Sequence, residues 1–260
     1  MARGWVTAFW ALLGVAVGSF LNVVADRWPV GGSLLSPPSH CDACGRCLRS
    51  WELVPILSYL VLRGRCRSCG ARVGLRTLAV ELGAGLLFGL AAWRIAPRGV
   101  RDWVALGLTS AYLSVLLTVT VTDLEHGLIP DRVTLPAIAL AVIGGALTGW
   151  PGVLHDLGGG LAGAGMIALI IWLVPEGMGW GDVKLAGLIG LVTGLPGVWF
   201  ALFIAFVSGG IVAGGLMATG RRRRGETIPL GPFLALGGGA ALLYGEALLD
   251  AFYALAAWIG

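Results

Sequence analysis

Charge is scarce in this chain. Asp, Glu, Lys and Arg together make up 12% of its 260 residues, roughly half the share usual in a water-soluble domain. Charge this dilute excludes a solvated globule. The 57% of apolar residues, with 43 Gly and 11 Trp, points instead to a chain that lives in lipid. Histidine is scarcer still, three in all, and no histidine and carboxylate set stands beside the cysteines to make an open catalytic zinc site. The net charge of +4 has no stacking motif beside it, so it does not mark a nucleic-acid binder.

What the sequence has in quantity is long apolar runs. Stretches of roughly 17 to 25 residues are the unit that crosses a bilayer. Eight candidates stand out, at about 5–25, 77–96, 103–122, 133–150, 157–174, 183–195, 198–218 and 230–258, the sixth being short. The expected fold class is an all-α membrane protein, a bundle of about eight transmembrane helices with a small cytoplasmic segment between the first two. The expected divisions are a first helix (1–25), a cysteine-bearing segment (26–76) and a polytopic membrane domain (77–260). The first run passes into Asp26-Arg27-Trp28-Pro29 without a small-residue cleavage site, so it is expected to persist as a helix rather than be removed as a signal peptide.

Lys and Arg collect on the cytoplasmic side of membrane proteins. Placing segment 26–76 in the cytoplasm puts fourteen of the 18 basic residues inside and leaves Arg3, Arg94, Arg98 and Arg101 outside. Arg221 to Arg224 then read as an inner anchor, and the turns carrying Asp123 and Asp182 face the cytoplasm.

Segment 26–76 contains Cys41-Asp-Ala-Cys44 and Cys66-Arg-Ser-Cys69. Two Cys-x-x-Cys pairs at this separation point to a structural four-thiolate zinc site, because each pair forms a tight knuckle that offers two sulfurs to one metal. Disulfide or redox use is the alternative, disfavoured in a reducing compartment. Cys44 with Cys47 makes a second possible knuckle of the same spacing. A segment this small buries little core, so metal would hold it folded. The apolar stretch Val54 to Leu62 is too short to cross a membrane.

The acids carry the chemistry. An ionisable residue at the edge of a membrane helix is a functional hypothesis by default, and two such residues close or open long apolar runs. Asp123 lies in Thr-Asp-Leu-Glu-His-Gly-Leu-Ile-Pro-Asp at the C-terminal end of one helix, and Asp182 lies in Gly177-Met-Gly-Trp-Gly-Asp-Val-Lys184 at the N-cap of another. If they meet, repulsion leaves them sharing one proton, the state that activates water against an amide. Asp131 is expected to cap the helix that follows it, and Lys184 to reach the interface. Asn22 and Glu81, at lipid depth, need hydrogen-bond partners on neighbouring elements or a role in holding substrate or cofactor. The glycines at 158–160, 163, 165 and 237–239 read as close helix packing.

Gly179-Trp-Gly-Asp182 resembles the Gly-x-Gly-Asp motif of membrane aspartic proteases. Taken with Asp123 in its Asp-Leu-Glu-His-Gly-Leu-Ile-Pro-Asp, the paired Cys-x-x-Cys knuckles and Gly18-Ser-Phe-Leu-Asn22, the chain resembles the type IV prepilin peptidase family over nearly its whole length. The resemblance implies eight transmembrane helices in the bacterial inner membrane and Asp123 with Asp182 as the catalytic pair. It implies removal of a short basic leader, after a Gly, from prepilins or pseudopilins of type IV pili and type II secretion. With all four cysteines present it also implies N-methylation of the new N-terminus from S-adenosylmethionine. Asp42, where the family often has Pro, and Arg76-Thr-Leu-Ala-Val-Glu81 depart from the usual pattern. A proton- or ion-transport protein and a zinc-stapled scaffold without chemistry are the rival readings. The first predicts acids near mid-membrane and the second predicts dispensable Asp123 and Asp182.

Overall fold

The computed structural model describes residues 2–146, 150–175, 178–220 and 228–259. Gly177, Arg221 to Arg224 and residues 147–149 of the fourth expected run lie outside the described residues. Eight α-helices follow in order: α1 (Ala2–Arg27), α2 (Leu57–Val61), α3 (Leu75–Ile95), α4 (Val100–His126), α5 (Asp131–Ala146), α6 (Trp150–Leu173), α7 (Trp180–Ala218) and α8 (Gly231–Ile259). A single 3-10 turn, Ser50–Leu53, precedes α2. Among the described residues extended pairing is limited to two isolated bridges, His40 with Cys47 and Arg65 with Arg72.

Among the described residues six helices are long and apolar enough to cross a membrane, namely α1, α3, α4, α6, α7 and α8, which makes this a multi-pass membrane protein. The described part of α5 has 16 residues, about 24 Å at the α-helical rise and short of a bilayer's hydrocarbon core. Helix α7 has 39 residues, but Gly194 (φ 62°, ψ −170°) and Leu195 (φ −91°, ψ 137°) leave the helical region just before Pro196. A left-handed φ is open to glycine without steric cost, and Pro196 cannot supply the N–H that would continue the ladder. The break therefore falls between the sixth and seventh apolar runs of the sequence.

The chain forms two compact units, Met1–Thr118 and Val119–Gly260. In the first, α1 and α3 lie antiparallel. Arg3 at the start of α1 donates to the carbonyl of Trp93 and stacks 4.2 Å over its ring, while Asp26 at the end of α1 pairs with Arg76 at 2.7 Å. Between these ends the backbones approach closely, since a Cβ at Gly18 would fall 2.8 Å from the Cα of Glu81. Small residues at such crossings replace the hydrophobic drive that lipid removes. Asn22 spans the seam, its Nδ2 donating to the carbonyls of Gly18 and Thr77 at 3.2 Å each. Trp10 Nε1 donates to Ser110 Oγ at 2.8 Å and ties α4 to α1.

In the second unit α7 packs against α6 on one side and α8 on the other, with α5 also against it. Glycine faces again set the spacing. A Cβ at Gly159 would meet the Gly190 carbonyl, and one at Gly237 would meet that of Ala201. Gly165, also among the expected packing glycines, has open space beside it instead. Leu185, Leu188, Ile189, Val198 and Leu234 fill the core between these helices, all essentially without exposure.

Candidate functional site

In the second unit three helix ends converge. Asp123 stands in the last turn of α4, which Gly127 ends in a left-handed conformation (φ 62°), its N–H returning to the Asp123 carbonyl at 2.9 Å. Asp182 stands in the first turn of α7. The sequence places it at the N-cap, but Gly179 takes that position (φ −95°, ψ 156°), and Asp182 is the third helical residue, reaching back to cap. Its Oδ2 accepts the Gly179 N–H at 3.0 Å, a capping-box arrangement. Extended backbone at Gly179 and a missing side chain at Gly181 allow this, and the latter also admits Ile129, which a Cβ at Gly181 would meet at 2.9 Å.

The third end was not visible in the sequence. The first residue of α8, Gly231, donates its N–H to Asp123 Oδ2 at 2.8 Å in a buried setting. A Cβ at Gly231 would lie 2.6 Å from that oxygen and 3.0 Å from its carboxyl carbon, so the position has no room for a side chain. Gly231-Pro232 ahead of an apolar run is legible as a helix start, but a main-chain donor carries no side-chain signature of its target.

Both carboxyl groups are buried, 7% exposed for Asp123 and 8% for Asp182, and they lie close enough for the charge of Asp123 to act on Asp182. Each is therefore gripped on Oδ2 by a glycine N–H from a helix start. Among the described residues Oδ1 of each accepts no hydrogen bond. Two buried acids held on one side and open on the other can share a proton and polarise a water.

The flanking residues sort differently. Asp131 is the first residue of α5 rather than the cap before it, and its Oδ1 receives Lys184 Nζ at 2.7 Å. Glu125 is exposed. The pair Asp131 and Lys184 is half-exposed and ties the start of α5 to the second turn of α7.

In the first unit Cys41, Cys44, Cys66 and Cys69 bring their sulfurs within 4.8 Å of one another. Tetrahedral zinc with Zn–S bonds of about 2.3 Å holds its sulfurs about 3.8 Å apart. The Cys41 and Cys69 sulfurs are 3.7 Å apart, so the donor set fits such an ion. The Cys44 and Cys47 alternative is not the one formed. Both knuckles are built alike. Gly45 (φ 68°) and Gly70 (φ 71°) follow the second cysteine of each, and their N–H groups return to the carbonyls of Cys41 and Cys66 at 2.8 and 2.9 Å. The backbone N–H groups of Cys69 and Ser68 hold the Cys66 thiol down to about 6. The Ala71 N–H favours the Cys69 thiolate, but burial and the sulfurs of Cys66, Cys44 and Cys41 push it up to about 11. Four thiolates this close need a cation between them. Arg46 bridges the cluster to the fold, pairing with buried Glu52 at 2.7 Å and interacting with Cys66. His40 turns away to the Pro38 carbonyl at 3.0 Å.

Glu81, buried at 4% exposure, accepts the N–H of Ile56 on Oε2 at 2.7 Å. It thus anchors the residue before α2, which sits at φ 62°. The structural use of Glu81 that the sequence allowed is the one seen.

Two family models match successive parts of the chain. Residues 12–95 match the model of the bacterial peptidase A24 N-terminal domain and residues 110–214 that of the type IV leader peptidase family. Curated relatives named prepilin leader peptidase/N-methyltransferase are similar over most of their length. The protein from Burkholderia pseudomallei strain 1026b is 36% identical across 94% of this chain and 87% of its own. That from Bacillus subtilis strain 168 is 34% identical across 94% and 97%. That from Pseudomonas aeruginosa is 33% identical across 90% and 89%. No solved structure matches the chain.

Proposed function

The chain belongs to the type IV leader peptidase family and is a peptidase, and from that premise we propose that Asp123 and Asp182 are its catalytic pair. The substrates are type IV prepilins or pseudopilins. Their short basic leader is cut off after a Gly at the cytoplasmic face of the bacterial inner membrane. The observation that carries this reading is the matched grip on the two buried acids, Gly231 N–H on Asp123 and Gly179 N–H on Asp182, with the second oxygen of each left open. The protein crosses the membrane eight times in this reading, with α5 and the two parts of α7 counted as separate spans.

The chemistry follows from one shared proton. Water between the open oxygens attacks the scissile carbonyl carbon and gives its proton to the ionised carboxylate, while the protonated partner donates to the carbonyl oxygen. Collapse of the tetrahedral intermediate breaks the C–N bond as the proton taken from water goes to the leaving amine, and one hydroxyl of the intermediate returns its proton to the carboxylate that had protonated the carbonyl oxygen, which restores the shared-proton pair. No covalent enzyme intermediate forms. The glycine N–H donors keep both carboxyl planes fixed through the cycle, which is what preorganisation requires.

Both acids stand at helix ends, in the last turn of α4 and the first turn of α7, which favours hydrolysis at a membrane surface over an ion path through mid-bilayer. Zinc held by Cys41, Cys44, Cys66 and Cys69 would supply a structural cross-link and take no part in cleavage. The names of the relatives and the complete cysteine set support a second activity, transfer of a methyl group from S-adenosylmethionine to the amine that cleavage frees.

The deciding assay follows prepilin cleavage by the full-length enzyme, wild type against Asp123→Asn and Asp182→Asn. Each substitution removes the charge while keeping the shape, and cleavage is expected to fall about 1,000-fold or more. Cleavage retained in either variant removes the pair from the mechanism. Mass analysis of the product in the presence of S-adenosylmethionine reads the second activity separately.

A further inference from the structure

The first unit presents an apolar surface outside its spans. In α2, Leu57, Leu60 and Val61 stand at i, i+3 and i+4, which puts them on one face, and they are 61%, 59% and 72% exposed. Trp51, Leu53 and Val54, in and just after the 3-10 turn, are exposed as well. Isolated exposed leucines need no explanation, but six large apolar residues within eleven positions of a cysteine-rich surface segment do. Lipid faces of spans do not account for them, because α2 has five residues and cannot cross.

The same surface is basic. Arg63, Arg65, Arg67 and Arg72 are exposed, and among the described residues none of the four has an acidic partner, while Arg49, also exposed, binds Glu52 Oε2 through its backbone N–H at 2.7 Å. Of the acids nearby, Glu52 is taken by Arg46 and Asp26 by Arg76, which leaves exposed Asp42 against the four arginines. The guanidinium of Arg67 lies 5.4 Å from the Trp51 ring centre, an arrangement that keeps a cation beside an aromatic of the type that settles at headgroup depth. Finally, the segment has no freedom to leave the membrane surface. It is tied at both ends to spans, to α1 at Arg27 and to α3 at Leu75.

We propose that the 3-10 turn and α2 form a docking surface for anionic phospholipid, with Trp51, Leu57, Leu60 and Val61 inserted among the headgroups and the arginines on their phosphates. The apolar face supplies the insertion and the basic residues supply preference for negative lipid, the two-part pattern of interfacial helices. Glu81 then has a mechanical sense. By holding Ile56 N–H at 2.7 Å, it fixes the angle at which α2 leaves the top of α3 and meets the bilayer.

Hydrogen exchange on the full-length protein tests this, in nanodiscs of phosphatidylcholine alone or of phosphatidylcholine mixed with phosphatidylglycerol. The amides of α2 are expected to exchange about tenfold more slowly in the anionic discs, while the amides of α3 do not change. A basic residue near an anionic surface strengthens binding about fivefold, so the pair Arg63→Gln and Arg67→Gln is expected to erase the difference. Equal exchange of wild-type α2 in the two lipids overturns the proposal. So does exchange that slows with protein-to-lipid ratio in pure phosphatidylcholine liposomes, which would make a second copy the occupant. The wild-type comparison changes only the lipid, so it decides even where the variant does not fold.

Discussion

Replacing Gly231 with Ala tests whether the start of α8 sets the geometry of Asp123. The added methyl group would sit 2.6 Å from Asp123 Oδ2 and 3.0 Å from the carboxyl carbon, where no real side-chain carbon is tolerated. Either α8 retreats or the carboxylate turns, and both break the 2.8 Å hydrogen bond from Gly231. A hydrogen bond to a charged group contributes about 1.5–3 kcal/mol, and about 1.4 kcal/mol corresponds to a tenfold change in rate. Displacing the acid by about 1 Å costs on the order of 100-fold by itself. The expected result is a kcat lowered about 100-fold with KM unchanged within about twofold, the pattern of an interaction that acts only in the transition state. Cleavage of a purified prepilin by the full-length enzyme measures it. Gly165→Ala is the control, since a methyl there meets nothing within 4 Å. A Gly231→Ala enzyme with kcat within about threefold of wild type would refute the argument that this main-chain donor positions the acid.

Three further outcomes follow from the geometry. Cys66→Ser is expected to abolish zinc content while Cys47→Ser keeps one zinc per chain, as read by metal analysis of the purified protein; equal loss in both would show the wrong knuckle has been assigned. Glu81→Ala leaves the Ile56 N–H without its acceptor and should cost about 1–3 kcal/mol, seen as a Tm lowered by several degrees, whereas Glu81→Gln retains an acceptor and should lose less; identical Tm values for all three proteins would contradict this. Lys184 and Asp131 are half-exposed, so a double-mutant cycle on stability should return a coupling of less than about 1 kcal/mol, and a much larger value would mean the pair is desolvated in the membrane-bound protein.

The sequence revealed side chains better than it revealed what holds them. The four metal-fitting cysteines were legible because their spacing is itself the geometry of a knuckle. The break in α7 was legible because Gly194 and Pro196 interrupt a run that would otherwise be continuous. The position of Asp182 was nearly legible, since Gly179 and Gly181 ahead of it read as a loop where the structure uses the first as the cap and the second in the first turn. The grip of Gly231 on Asp123 could not be read, because the partners are 108 positions apart and the donor is main chain. The ion pair of Lys184 with Asp131 was hidden for a related reason. Each residue had a plausible local role, and only the packing of α5 beside α7 brings the two together across 53 positions.

The paired glycine donors also bear on how such an enzyme could be blocked. Each acid turns one oxygen toward the protein and leaves the other free among the described residues, so under the proposed mechanism a peptide mimic with a hydroxyl in place of the attacking water would donate to one free oxygen and accept from the protonated other. The donors behind the acids belong to the polypeptide backbone, and among single substitutions only one to proline deletes such an N–H. Any side chain at 231 crowds Asp123 as well, so with Asp123 in the proposed role, escape at that position would come at the expense of cleavage.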